Sequence, residues 1–217
     1  MLIYWFGIYL VLARFFKLWS RTVQIHSIVH CVVAFLWTTY VLFIYLGNNM
    51  INTNFYQALH GLSDSDKYML LLTAYHSGGY FLADTVDILI DYTNKKRHIY
   101  ILHHAAAFAG ISTIYWGSYL SVYAIWCLEI GGIVHHLKHA AEVNDFGSIP
   151  YFLSQTLYHI VYLFSRILLS LNVVTAIFSI HLSETILPDI LGLCVAIILL
   201  IQNGLWWVHN ARKSLKI

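Results

Sequence analysis

Charge is scarce in this chain. Asp, Glu, Lys and Arg make up 10% of its 217 residues, against 59% apolar residues and a mean hydropathy of +0.69. Soluble domains carry roughly a quarter charged residues, so an ordinary soluble fold is excluded. The net charge of +2 is small and the basic residues are dispersed, which excludes nucleic-acid binding as the main task. Proline is nearly absent: Pro150 and Pro188 sit at the ends of apolar runs, where a missing N–H does least harm. The three cysteines, Cys31, Cys127 and Cys194, are widely spaced within apolar stretches. They read as small core residues, not as a disulfide framework or a zinc site. The opening, Met1 to Leu12, lacks both a basic leading region and a small-residue cleavage site. Its charges, Arg14, Lys17 and Arg21, follow the apolar part, the pattern of a retained anchor.

What the chain has instead is long apolar runs: Leu2–Phe16, Val23–Leu46, Tyr68–Tyr92, Ile99–Trp116, Tyr119–Leu137, Tyr151–Ile180 and Ile186–His209. Each is near the roughly 20 residues a membrane-crossing helix needs. They are too long and too continuously apolar for barrel strands. The fold class is therefore an all-α, polytopic membrane bundle of six to seven transmembrane helices. Residues 1–20 form an N-terminal hydrophobic anchor and residues 21–217 the main transmembrane domain. Breaks fall at Gly47-Asn48-Asn49, at Asn94-Lys95-Lys96-Arg97, at Gly117-Ser118 and between Gly147 and Pro150. Ten of the twelve Lys and Arg residues lie in loops on one side, Lys67 lies on the other, and Arg166 lies within a span. That asymmetry places the C-terminus in the cytosol.

Ionisable groups inside these runs are costly, roughly 2.5–3.5 kcal/mol each at a span centre, so they should face the bundle interior. In the third run His76, Tyr80, Asp84, Asp87 and Asp91 recur at helical spacing on one face. The sixth gives Gln155, His159, Tyr162, Arg166 and Ser170, with Arg166 expected to pair with Asp84 or Glu129. The fifth gives Glu129, Gly132 and His136, the second His26 and His30, and the seventh Gln202, Asn203, Trp206 and His209. All the histidines except His60, His76 and His181 fall in the cytosolic half or at its boundary. Their convergence implies a polar, partly hydrated chamber opening to the cytosol. Small residues such as Gly78, Gly79, Gly131 and Gly132 let helices approach closely around it.

At Tyr80-Phe81-Leu82-Ala83-Asp84 and, after a basic loop, Leu102-His103-His104-Ala105-Ala106, the chain resembles the TLC domain family. Weaker agreement comes from Ser27 and His30, Glu129, Tyr158 to Arg166, and Gln202 with Trp206, so that the likeness runs from about Arg21 to the C-terminus. The resemblance implies a bundle around a central lipid-sized cavity in the endoplasmic reticulum or a related internal membrane. It makes His103 and His104 candidate catalytic residues, as base or acyl acceptor, with Asp87 or Glu129 orienting them. Asp84, Glu129, Arg166 and His30 become candidate substrate-binding residues. The ceramide synthases of that family carry a His-Asp-x-x-Asp element after the histidine pair. This chain reads Trp126-Cys127-Leu128-Glu129-Ile130-Gly131-Gly132 there, which is closer to the small TLC-domain proteins.

The leading expectation is thus a protein that handles a membrane lipid within its bundle, with no defined reaction and no bound cofactor. The alternative is an N-acyltransferase of the ceramide synthase type, with acyl-CoA as co-substrate and partner. A membrane di-iron lipid oxygenase is a third reading, since His26…His30, His98…His103-His104 and His135-His136…His139 loosely imitate histidine boxes. Adjacent helical histidines diverge by about 100°, which weighs against it.

Overall fold

The computed structural model describes residues 1–19, 25–45, 63–90, 97–116, 120–143, 147–171, 174 and 186–215. The loop breaks at 47–49, 94–96 and 117–118, together with Asp91, His60 and His181, lie outside the described residues.

Every regular element among the described residues is helical. Helix α1 spans Leu2–Trp19 and α2 Ile25–Thr39, the latter widening into a π-helical turn at Tyr40–Tyr45. Helix α3 is Asp64–Ile90, and α4 is Arg97–Ser112 with a tighter 3₁₀ ending at Thr113–Trp116. Helix α5 is Leu120–Val143, and α6 runs Ser148–Tyr162 and on through a π-helical stretch at Leu163–Leu169. Helix α7 is Ile186–Leu215. Pro150 and Pro188 each occupy the first turn of a helix, where no intrahelical N–H bond is lost.

Side-chain patterning decides which face turns inward. On α7 the row Ile197, Ile201 and Leu205 is exposed, while Val195, Leu199 and Asn203 are buried. On α6 Leu157, Ile160, Phe164 and Leu168 face outward, and Gln155, Tyr158, Tyr162 and Ser165 face inward. Apolar outside and polar inside inverts the soluble pattern, and it suits a bundle whose solvent is hydrocarbon. Three stretches, Ile25–Ile44, Ser148–Leu169 and Ile190–Ser214, are long and apolar enough to cross a membrane. Helices α3 and α5 dilute their apolar character with the inward-facing polar groups described below.

The helices pack in a closed circuit: α1 on α3, α3 on α4, α4 on α7, α7 on α6, α6 on α5, α5 on α2, and α2 back on α1. Gly79 makes one of these contacts possible. A Cβ there would come within 2.6 Å of Trp5 Cβ and 2.8 Å of the Phe6 nitrogen, so the backbone of α1 lies directly on α3.

One end of the bundle, where α4 begins and α5 and α7 finish, is closed by a polar clasp. Lys138 is buried in α5, not displayed in a loop, and donates to Glu142 Oε1 at 3.0 Å and Asn210 Oδ1 at 2.9 Å. Gln155 donates to the same Glu142 oxygen at 3.1 Å, so α5, α6 and α7 are tied together. Burial alone would raise the Glu142 pKa. The Lys138 hydrogen bond and the charges of Lys138 and Lys213 outweigh it and hold the carboxyl below its ordinary 4.5.

A candidate lipid site at mid-bundle

The third-run stripe does face the interior: His76, Tyr80 and Asp84 are buried and Asp87 is half-buried. Asp84 is the hub of one polar group. Its Oδ1 lies 3.1 Å from His26 Nε2, and its Oδ2 lies 3.3 Å from His104 Nε2 and accepts from the Tyr80 hydroxyl at 3.4 Å. His104 Nδ1 is 3.3 Å from Thr85 Oγ1, whose own hydrogen goes to the Phe81 carbonyl at 2.6 Å. Each nitrogen of His104 therefore meets a polar partner, Asp84 on one side and the Thr85 hydroxyl on the other, and the two contacts fix the plane of the ring. Asp87 lies one turn further along α3, and the carboxylate against His104 is that of Asp84.

The second group is built on α5. Glu129 is buried, and its Oε1 lies 3.2 Å from Nε2 of the fully buried His30. Beside it, Gly131 and Gly132 let α6 come close. A Cβ on Gly131 would meet Arg166 Cγ at 2.5 Å and Ser165 Oγ at 2.6 Å. A Cβ on Gly132 would meet Arg166 Nη2 at 3.0 Å and Glu129 Oε2 at 3.4 Å, so the two ionisable groups flank one point. The expected ion pair of Arg166 with Asp84 or Glu129 needs correction, because the guanidinium's described hydrogen bonds go elsewhere. Its Nε donates to the Leu128 carbonyl at 2.9 Å and Nη1 to Asn203 Oδ1 at 3.3 Å. The reason is positional: Arg166 sits within the π-helical stretch of α6, facing the α5 backbone and α7, and Tyr162 also donates to Asn203 Oδ1, at 2.9 Å. Such π segments recur at functional sites.

His103 belongs to neither carboxylate. Its Nδ1 lies 3.3 Å from Gln202 Oε1, and the Gln202 amide nitrogen donates to the Ile99 carbonyl at 3.4 Å. With the amide so oriented, Nδ1 is the donor, and in the neutral ring Nε2 then keeps its lone pair, the tautomer a general base needs. Gln202 is a residue that sequence reasoning noted on α7 without giving it a role. Its spacing of four from Trp206, whose ring lies 5.1 Å from that of His103, was the available signal.

His103, Glu129 and Arg166 line one partly open cavity, whose space together with the open space at its mouth comes to about 860 Å³. Its remaining walls are largely apolar, with Phe81, Ile111, Leu128, Val195 and Leu199 among them. From the three polar groups it runs to Ser121, in the first turn of α5, and Gly192, in the second turn of α7. It thus extends away from the clasped end. The single hollow expected from the sequence resolves into two parts: an internal tie of Asp84, His26 and His104, and a cavity head of His103, Glu129 and Arg166. Sequence reasoning missed Tyr9 and set His76 apart, yet Tyr9 Oη lies 2.6 Å from His76 Nε2, and the His76 ring lies 5.1 Å from that of His30. Among the described residues no group of three His, Cys, Asp or Glu side chains is arranged to hold a metal ion.

The TLC domain family model matches residues 21–211. The chain belongs to the TLC domain family. No curated protein and no solved structure matches it. As a TLC-domain protein with three helices apolar and long enough to cross a bilayer, it is a membrane protein. The motif residues that carried the likeness lie at the heart of the bundle, where Asp84 and His104 pair directly.

Proposed function

We propose that this TLC-domain protein is a multi-pass membrane protein of six or seven spans that holds a lipid within its bundle. The observation that carries the reading is the cavity: an apolar channel ending in one imidazole, one carboxylate and one guanidinium. Apolar walls suit an acyl chain, which moves from bilayer to cavity without exposing its methylenes, so that the polar end decides which lipid is held. The polar end suits the amide, hydroxyl or amine of a headgroup, and a few convergent polar groups in an apolar pocket is the usual form of a ligand site. Domain limits follow the same reading, with residues 21–217 as the TLC-like domain and residues 1–20 as a leading anchor. A cytosolic C-terminus is supported by Lys138, Arg212 and Lys213 gathering at the clasped end, and an endoplasmic reticulum membrane by family likeness. The test is mass spectrometry of lipid extracted from purified protein. Near-stoichiometric retention of one lipid class supports the proposal, and protein free of any retained lipid overturns it.

A second reading has one specific observation in its favour. His103 lines the cavity in the tautomer of a base, beside Glu129. As an acyl-CoA-dependent N-acyltransferase, the protein would use His103 to take a proton from an amine attacking the thioester carbonyl and to return it to the CoA thiolate that leaves as the C–S bond breaks. His104, pinned to Asp84, would position its neighbour. Retention of full acyl-transfer activity by His103→Ala would remove this reading.

A further inference from the structure

Helix α1 precedes the family-matched residues 21–211, yet it reaches the polar core. Tyr9 is 2% exposed, and its hydroxyl lies 2.6 Å from His76 Nε2. The His76 ring lies 5.1 Å from that of His30, at 21°. His30 in turn stacks on Tyr80 at 3.7 Å and 7°, while the Tyr9 ring meets His30 edge-on at 5.6 Å. The far side of His30 contacts Glu129, which lines the cavity. These aromatic rings form a cage around an imidazole that has no partner for Nδ1 among the described residues, and His76 Nδ1 has none either. Each ring is thus oriented by a single hydrogen bond plus stacking. For His76 that bond is the one shared with Tyr9.

We infer that Tyr9 is a positioning residue of the cavity site, acting through His76 and His30 to hold Glu129 at the cavity wall. Removing the Tyr9 hydroxyl leaves the His76 ring with neither nitrogen bonded, free to turn and to release the face of His30. Helix α1 is then part of the site and not only an anchor. The close approach at Gly79, which locks the register of α1 on α3, is the feature that delivers Tyr9 to its place.

The experiment is Tyr9→Phe in the full chain, which keeps the ring and its packing. Tyr4→Phe is the control, because Tyr4 is 64% exposed on the same helix. The first readout is the ring ¹⁵N spectrum of histidine-labelled protein in nanodiscs, with His76→Gln and His30→Gln supplying the assignments. Tyr9→Phe should move the His76 and His30 signals and Tyr4→Phe should move neither. An unmoved His30 signal in Tyr9→Phe overturns the inference. The second readout rests on the lipid reading above: retention should weaken about fivefold, the factor of one ordinary hydrogen bond, and Tyr9→Phe should add nothing further in a His76→Leu background. Additive losses would show that Tyr9 acts by another route. The spectral readout does not depend on any lipid, so its failure is separable from failure of that reading.

Discussion

Asp84→Asn tests the internal tie with the least change of shape. The carboxylate meets three donors, at 3.1 Å from His26, 3.3 Å from His104 and 3.4 Å from Tyr80, with only 7% of the residue exposed. An amide in its place has one oxygen to accept and one NH₂ that must point at a donor. At least one of the two histidines must then change tautomer or lose its bond, and both lose the charge they faced. A hydrogen bond to a charged group contributes about 1.5–3 kcal/mol, and weakening those from His26 and His104 together puts the expected loss at about 3 kcal/mol. For a chain of this size roughly 2–4 °C of melting temperature accompanies each kcal/mol, so a drop of about 6–12 °C follows. The assay is thermal unfolding in detergent, with Asp64→Asn as control, because the Asp64 side chain is fully exposed and its ion pair with Lys67 is at the surface. In the double variant with His104→Asn the losses should fall short of additive. If Asp84→Asn melts within a degree or two of Asp64→Asn, the idea that this carboxylate organises the interior is wrong.

Other consequences are as direct. His104→Ala should destabilise the protein by about 2–3 kcal/mol, since it leaves a buried carboxylate oxygen with only the long Tyr80 bond and opens space beside it, whereas His103→Ala should leave the melting temperature nearly unchanged and alter lipid retention; equal effects on both readouts would contradict the division of roles. Gly131→Ala should cost about 1–3 kcal/mol by overpacking, because its new Cβ would stand 2.5 Å from Arg166 Cγ; a neutral melting temperature would show that α6 yields freely there. For Glu142 the sign follows from its lowered pKa: the stabilisation is complete above 4.5 and is lost as the pH falls through the lower folded-state value. Glu142→Gln should therefore melt below wild type at neutral pH and converge with it in acid, and a gap that persists at low pH would refute the assignment.

Much of the fold was legible because the bilayer imposes one rule, that polar groups must be buried in protein. The inward faces of α3 and α6 followed from Asp84 and Arg166 alone, and the first-turn positions of Pro150 and Pro188 from the missing N–H. Pairing was less legible. Asp84 meeting His104 depends on the rotation of α3 against α4, and a spacing pattern fixes a face without naming its opposite number. The same holds for Arg166, which has carboxylates in the neighbouring helices and spends its described bonds on a carbonyl and on Asn203. The histidine pair carried its own clue: residues about 100° apart on a helix cannot share one pocket wall, and the structure sends His103 to the cavity and His104 to Asp84. His76 was set aside because it was sorted by depth along the span, whereas its partner Tyr9 lies on a helix read only as an anchor.

The most direct measurement compares lipid retained by wild type with that retained by Ala124→Trp and Leu205→Trp, each purified in the same detergent and quantified by mass spectrometry. Ala124 lines the cavity, and Leu205 is 66% exposed on the outer face of α7. The account predicts that the indole at 124 empties the cavity of lipid while the indole at 205 leaves retention at the wild-type level. Equal retention in all three proteins would mean that the bound lipid sits on the outside of the bundle and that the cavity is not its site.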